Sequence, residues 1–208
     1  MDTDAAHKRV SRVNGHRAND PGALNTDERT RRAHTRSRHG VFGAAAGVCL
    51  LAIITDQLTK VWALDALSNG HARPLISDLL TLQLTFNSGA AFSLGGDVTW
   101  LFTVLSVVVL VALGVLVTRA QRTATILSIA LLAGGAAGNL IDRAIRPPGF
   151  GVGHVVDFIN YNGWFVGNVA DIWIVLGAIL LAWFFATEHE TRQPEPDDAL
   201  TEPLSNDQ

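Results

Sequence analysis

The sequence predicts an all-α polytopic membrane protein with four transmembrane helices and a strand-forming segment outside the membrane. The chain of 208 residues is 48% hydrophobic and only 17% charged. Its apolar residues are gathered into blocks that approach or exceed the roughly 20 residues needed for a helix to cross a bilayer. The four blocks are residues 41–64, 98–118, 123–141 and 163–187.

Two polar tails flank the predicted membrane domain, residues 41–187. Residues 1–40 are basic, and residues 188–208 are acidic and rich in proline. Neither tail has the apolar residues needed to bury a core, so we expect both to be disordered. A basic tail next to a membrane span usually determines the orientation of the span or contacts anionic lipid. We therefore do not expect it to bind nucleic acid.

The first span contains Asp56, Thr59 and Lys60 near its end, at spacings that place them on one helix face. An Asp–Lys pair near the membrane surface, with the Lys60 side chain snorkelling outward, is the structural interpretation, and we favour it for Lys60. For Asp56, a second role stays open, namely hydrogen-bonded support of an active-site loop. Cys49, the single cysteine, cannot form an internal disulfide and is expected to pack as a small apolar residue.

Residues 80–87 alternate strictly between apolar and polar side chains, which is typical of a half-buried strand. The pattern predicts that the apolar face lies toward the membrane or the helix bundle. One face carries Leu80, Leu82, Leu84 and Phe86, and the other carries Thr81, Gln83, Thr85 and Asn87. The small residues that follow, including Gly89, predict a turn.

The third span ends in a cluster of small and polar residues. Gly134 and Gly138 have the spacing that lets membrane helices approach closely, which brings Asn139 near a neighbouring helix. Asp142 and Arg143 follow. A plain ion pair would explain both of them, and Arg143 has the alternative of holding a substrate carbonyl or a lipid head group.

Two aspartates mark the end of the chain's apolar region. Asp171 is the only charge in the fourth block, and Asp157 lies in the loop just before that block. A carboxylate in a membrane span usually faces the protein interior and serves a function. Asn168 has two open interpretations, a helix cap and a hydrogen-bonded orienter of Asp171. His154 is interpreted as a loop residue.

Lysine and arginine near the span ends predict that both termini are cytoplasmic. The two longer loops, residues 65–97 and 142–162, then lie outside. The polar residues of the spans converge at one depth near the outer surface, where Asp157 also lies.

The sequence contains no GxSxG, P-loop, GxGxxG with a following acidic residue, or HExxH motif, and no cysteine-rich metal site. What remains is a pair of carboxylates. Two neighbouring carboxylates share a proton, so that one activates water and the other polarises a carbonyl. That is aspartic protease chemistry.

Five segments in order resemble the motifs of the lipoprotein signal peptidase (signal peptidase II) family. The resemblance covers about residues 41–187. The segments are DQLTK (56–60), NSGAAFS (87–93), GGAAGNLIDR (134–143), VVDF (155–158) and NVAD (168–171).

The resemblance implies a bacterial inner-membrane aspartic endopeptidase with four transmembrane helices and a small β-cradle on the outer face. It implies cleavage of prolipoproteins just before the diacylglyceryl-modified cysteine, contact with membrane lipids and inhibition by globomycin-type peptides. No cofactor or metal is implied, and we expect a monomer. Asp157 and Asp171 match the catalytic dyad. The residues that match substrate-binding or supporting positions, or that adjoin them, are Asp56, Lys60, Asn87, Gly89, Asn139, Asp142, Arg143 and Asn168.

The chain departs from the family pattern at Gly167, where an aromatic residue is common, and at Ile172, where a small polar residue is common. Two rival functions stay open. One is a proton-coupled transporter, although four short spans without internal repeats argue against it. The other is a non-enzymatic membrane assembly protein.

Overall fold

The protein is described by a computed structural model that covers residues 21–77, 79–89 and 99–190, with side chains described for residues 38–77, 79–89 and 99–187. The parts of the predicted tails in residues 1–20 and 191–208 therefore lie outside the described residues. The elements are α1 (Pro21–Ala66), β1 (Arg73–Ile76), β2 (Leu80–Asn87), α2 (Thr99–Arg119), α3 (Thr123–Ile145), β3 (Val155–Tyr161), β4 (Phe165–Gly167) and α4 (Val169–Glu190).

Four helical segments among the described residues are long and apolar enough to cross a membrane. They agree with the four predicted spans, although the fourth begins later than expected because residues 165–167 form a strand. The segments are Arg38–Ala66, Thr99–Arg119, Thr123–Ile145 and Val169–Thr187.

Helix α1 begins at Pro21, inside the segment that composition predicted to be disordered. Proline suits the first helical position because its missing N–H would have no partner there. The boundary between two compact units of the chain falls between Gly43 and Ala44, within α1. Every contact of the candidate site lies in the second unit.

Glycines on two faces of α3 let neighbouring helices approach closely. A Cβ on Gly134 would lie 2.8 Å from the Cys49 carbonyl oxygen of α1, and a Cβ on Gly138 would overlap the Asp56 carboxylate. On another face, a Cβ on Gly135 would lie 2.5 Å from the Ala170 carbonyl oxygen of α4. The packing role predicted for Gly134 and Gly138 is therefore confirmed, and Gly138 makes room for a buried charge.

The four strands form one antiparallel sheet in the order β1–β2–β3–β4. The sheet packs beside the end of α1 through a core of Ala63, Leu67 and Phe158, with Leu82 and Leu84 against it. The predicted strand at residues 80–87 is thus confirmed, and part of its apolar face lies against the bundle.

The register of β2 against β3 shifts between Leu82 and Thr85, and the shift changes which residues share a face. Leu82 pairs with Ile159, and Thr85 pairs with Asp157. Paired residues in an antiparallel sheet point to the same face, and residues two apart on one strand do so too. Beyond the shift, Asn87 therefore lies on the same face as Leu82. Strict alternation, as the sequence predicts, would put the two residues on different faces. This change turns Asn87 toward Asp157.

Candidate active site

Asp157 on β3 is 2% exposed and is held by two asparagine side chains. Its Oδ2 accepts a hydrogen bond from Asn87 Nδ2 at 2.9 Å, and its Oδ1 accepts one from Asn168 Nδ2 at 2.6 Å. Both carboxylate oxygens therefore have a neutral donor, which fixes the orientation of the group.

Asp171 is part of a reciprocal cap at the start of α4. Its Oδ2 accepts the backbone N–H of Asn168 at 3.0 Å, and Asn168 Oδ1 accepts the backbone N–H of Asp171 at 3.2 Å. The pattern is that of a capping box, with asparagine at the cap and aspartate three residues later. The cap interpretation of Asn168 is therefore borne out, and Asp171 takes part in the same cap, which sequence reasoning missed.

Asn168 and Asn139 connect the two aspartates. Asn139 Nδ2 donates to Asp171 Oδ1 at 2.9 Å, and Asn168 Nδ2 donates to Asn139 Oδ1 at 3.0 Å as well as to Asp157. Asn168 thus contacts Asp157 through its side-chain amide and Asp171 through its backbone amide. One residue holds both carboxylates at fixed positions relative to each other.

Below this pair lies a buried ion cluster around Lys60. The Lys60 ammonium contacts Asp56 Oδ2, Asp142 Oδ2 and Asn139 Oδ1, each at 2.9 Å. Lys60, Asp56 and Asp142 are 0% exposed. All three donors of the ammonium are used, so the lysine does not snorkel to the surface as the sequence suggested.

The two acids of this cluster also bind the backbone next to each site aspartate. Asp56 Oδ1 accepts the N–H of Ala170 at 3.0 Å, and Asp142 Oδ2 accepts the N–H of Val156 at 3.1 Å. Ala170 directly precedes Asp171, and Val156 directly precedes Asp157. We call Asp56, Lys60 and Asp142 the Lys60 clamp, because one ammonium joins the supports of both aspartates.

Two members of this network, Gln57 and Arg146, were not predicted as site residues. Gln57 Nε2 lies 3.0 Å from Asp56 Oδ2 and 3.3 Å from Asp142 Oδ1, and Arg146 Nε donates to Asp142 Oδ1 at 2.7 Å. Arg146 stands four residues after Asp142, a spacing that brings side chains together on a helix. That spacing could have identified it.

Arg143 lies at the edge of the site. It is 9% exposed, and its Nη1 donates to the Asn139 carbonyl at 3.1 Å. Its charge interacts with those of Asp157 and Asp171. Its buried Nε has no hydrogen-bond partner among the described residues.

Gly89 fixes the direction of Asn87. Its backbone N–H donates to Asn87 Oδ1 at 2.7 Å, which leaves Nδ2 directed at Asp157. Gly89 has φ +92°, a conformation that favours glycine, and a Cβ there would overlap the Phe102 ring. The rest of this motif, residues 90–93, lies outside the described residues.

Burial has a clear effect on Asp157. Its pKa rises from 3.8 to about 6, chiefly because burial removes solvation. The charge of Asp171 adds to the rise, whereas the hydrogen bonds from Asn87 and Asn168 lower the pKa. Desolvation therefore outweighs the two donors. Asp157 gains a proton at a pH where an exposed aspartate would be fully ionised.

Most of the chain is similar to known proteins. A model of the family described as signal peptidase (SPase) II matches residues 48–187. The chain belongs to the signal peptidase II family. Lipoprotein signal peptidases of Bifidobacterium longum (strain DJO10A) and Rhodococcus jostii are 45% and 44% identical to it, over 70% and 71% of this chain and 78% and 73% of theirs. That of Bifidobacterium adolescentis is 41% identical over 83% of this chain and 90% of its own length.

Two solved structures, each described as a bacterial membrane enzyme determined by the in meso method, share the fold. One, at 2.3 Å resolution, has a TM-score of 0.63 and 27% identity and covers 74% of this chain and 94% of its own. The other, at 1.9 Å, has a TM-score of 0.60 and 29% identity and covers 69% and 92%. As a member of the signal peptidase II family, the chain is a multi-pass membrane peptidase.

Both departures from the signal peptidase II pattern have a local explanation. The Phe165 ring occupies the space beside Gly167, where a Cβ would lie 2.6 Å from the ring and 2.8 Å from Asp171 Oδ2. Ile172 is 43% exposed on α4. Neither departure removes a hydrogen bond from Asp171.

Proposed function

We propose that this chain is an aspartic endopeptidase that cleaves the signal peptide from prolipoproteins just before the diacylglyceryl-modified cysteine. The observation that carries the proposal is the arrangement of Asp157 and Asp171, two carboxylates bound by one residue, Asn168, at the end of the membrane spans. The family and the names of the relatives support the peptidase and its substrate class.

In this proposal the two aspartates take different roles because their surroundings differ. Asp157 is almost fully buried, and its pKa of about 6 favours the protonated form more than an exposed carboxyl does. Asp171 is less buried and lies at the N-terminus of α4, where the helix dipole and two N–H donors stabilise an anion. Asp157 is therefore the acid and Asp171 the base in the first step.

The first step adds water to the scissile carbonyl. Asp171 takes a proton from the water while the water oxygen bonds to the carbonyl carbon. Asp157 gives its proton to the carbonyl oxygen. In the second step the proton on Asp171 passes to the leaving nitrogen as the C–N bond breaks, and Asp157 recovers its proton from the collapsing diol. In this proposal Arg143, whose buried Nε has no hydrogen-bond partner among the described residues, holds a neighbouring substrate carbonyl.

The remaining proposed residues act through these groups. Asn87, Asn139 and Asn168 orient the two carboxylates, Gly89 orients Asn87, and the Lys60 clamp fixes the backbone beside each aspartate. The distribution of lysine and arginine supports cytoplasmic termini and a site near the outer face of a bacterial cytoplasmic membrane. The comparisons do not favour the transporter or assembly-protein alternatives.

The test uses the purified full chain in phospholipid vesicles with two substrates of identical sequence, one carrying the diacylglyceryl group and one without it. We expect cleavage of the lipidated substrate only, with the new N-terminus at the modified cysteine by mass spectrometry. A globomycin-type peptide should block the cleavage, and a chelator should leave it unchanged. Cleavage that needs a metal, or that ignores the lipid, would contradict the proposal.

A further inference from the structure

The turn between β1 and β2 and the turn between β3 and β4 lie at the same end of the sheet. At this end, a row of apolar side chains crosses all four strands. Ile76 pairs with Leu80, Leu80 with Tyr161, and Tyr161 with Phe165. Together with Leu79 and Trp164 in the turns, these residues form what we call the apolar tip. The Tyr161 and Phe165 rings stack with centroids 5.7 Å apart.

The apolar tip is open to its surroundings. Trp164 is 92% exposed, Leu79 64% and Ile76 57%. A hollow of about 460 Å³ lies between the two turns, and its lining includes Leu80, Tyr161 and Trp164. A cluster of this kind indicates a surface that meets another apolar phase or partner.

Beside the apolar tip, the two faces of the sheet differ in polarity, although farther along β3 the face of Asn160 carries Phe158, which is buried against the end of α1. The row that neighbours the tip places Thr81 and Asn160 on the opposite face, where Asn160 Nδ2 donates to the exposed Gln83 side chain at 3.1 Å. The face of Tyr161 is also the face of Asp157, since the two residues are four apart on β3. Burial and the charge of Asp171 raise the pKa of Tyr161.

The sheet is also tied closely to the membrane spans. Phe165 stands four residues before Val169, where the fourth span begins, so the two lie within about 14 Å of each other even along a fully extended chain. A sheet that stood upright on the bundle would hold its turns in water. The apolar tip, with Thr81, Gln83 and Asn160 beside it on the opposite face, fits a sheet whose tip reaches the bilayer surface instead.

We propose that the apolar tip inserts into the bilayer on the side of the candidate site, as a membrane contact in addition to the four spans. The tip combines tryptophan, tyrosine and phenylalanine with leucine and isoleucine, the composition that favours the boundary between head groups and acyl chains. The six residues of the apolar tip are uncharged, and Asp78, directly before Leu79, is the one charged residue in the sequence of the two turns. The inserted tip anchors β3 and β4, and with them Asp157 and the chain entering α4, at a fixed depth.

The test measures the surroundings of single positions by spin labelling. The chain has one cysteine, Cys49, so a Cys49→Ala background leaves no native thiol. Trp164→Cys and Leu79→Cys report on the tip, and Gln83→Cys on the opposite face is the matched control. Each full chain is placed in phosphatidylcholine–phosphatidylglycerol vesicles, and collisions of the label with oxygen and with a water-soluble nickel complex are compared.

We expect oxygen collisions to exceed nickel collisions at positions 164 and 79, and the reverse at position 83, because oxygen concentrates in lipid and nickel complexes stay in water. Nickel collisions at 164 and 79 as frequent as at 83 would overturn the proposal. So would low collisions with both reagents together with label–label broadening that grows with protein-to-lipid ratio, because that result indicates a second copy of the chain.

A second measurement needs no cysteine variant. Lipids brominated near the head group should quench the tryptophan emission of the unmodified chain more than that of Trp164→Phe, because the variant lacks the tip tryptophan. Equal quenching of the two proteins would contradict insertion. Neither experiment depends on cleavage of a substrate, so each tests the tip separately from the proposed peptidase function.

Discussion

Asp157 is a carboxyl whose burial disfavours its charged form. Its pKa of about 6 in the fold, against 3.8 when solvated, corresponds to about 3 kcal/mol of free energy of unfolding. Since the folded-state pKa is raised, this contribution is fully present below the unfolded pKa and is lost as pH rises through about 6.

Asp157→Asn is therefore expected to raise the free energy of unfolding at pH 8 by up to about 3 kcal/mol, with little gain at pH 4. Thermal unfolding in detergent at both pH values measures the difference. Asp65→Asn, at an exposed position near the end of α1, is the matched control and should change stability little at either pH. A variant that is less stable than the unmodified chain at pH 8 would show that burial does not penalise the Asp157 charge.

Asn87 lowers the pKa of Asp157 by donating a hydrogen bond to its carboxylate. If Asp157 acts as the acid, kcat/KM falls as pH rises through its pKa. Asn87→Ala removes the donor, so this fall should move to higher pH while the maximal rate drops. Asn160→Ala, on the opposite face of the same sheet, should leave the pH profile in place. If the fall in kcat/KM stays at the same pH or moves to lower pH in Asn87→Ala, the result would argue against Asp157 as the acid.

At the scale of elements, the Lys60 clamp joins α1 and α3 to the first turn of α4 and to β3. Removing one partner of a buried ion cluster leaves an uncompensated charge, so Lys60→Met should lower the free energy of unfolding by about 3–5 kcal/mol. The combined variant Lys60→Met, Asp56→Asn, Asp142→Asn removes the three charges of the clamp together. It should recover part of that loss, although Arg146 loses its ion pair with Asp142.

Activity distinguishes a positioning role for the clamp from a purely structural one. In the combined variant we expect kcat to stay low even where stability returns, because Asn side chains without Lys60 do not hold the Ala170 and Val156 amides in the same way. KM should change less than kcat. Full recovery of kcat with stability would mean that the clamp serves folding alone.

Sequence reasoning located the spans because four long apolar blocks are unmistakable, and it failed where a local rule was overridden. β4 was missed because residues 163–167 are apolar and merge with the fourth block. The register shift in β2 was invisible to an alternation that stays strict through residue 87. Helix α1 extends back to Pro21, into the segment predicted to be disordered. A polar segment that buries no core can still continue a helix whose following residues pack.

Most residues of the candidate site were predictable from the sequence, whereas most of the connections between them were not. Asp157 and Asp171 stood out as charges in or beside an apolar region. The NVAD segment already contains the cap and its reciprocal acid, so the role of Asp171 in the cap was readable from spacing. That Lys60 joins Asp56 to Asp142, or that Gln57 lies between them, depends on helix packing permitted by Gly138, which no spacing within one helix reveals.

At the scale of the whole molecule, the spans, the sheet and the clamp all act on the geometry of two carboxylates. Helix α4 supplies Asp171 at its first turn, and β3 supplies Asp157 from a sheet packed on the end of α1. Asn168, between β4 and α4, contacts both. The central claim is that these two groups together cleave the substrate.

The most direct test is cleavage of a diacylglyceryl-modified prolipoprotein by Asp157→Asn and Asp171→Asn, each compared with the unmodified chain at equal amounts of folded protein in vesicles. Both variants keep the side-chain shape and should insert and fold. We expect each to lose cleavage to the level of the uncatalysed reaction, because neither a lone acid nor a lone base completes the two proton transfers. Cleavage at the full rate by either variant would contradict the account.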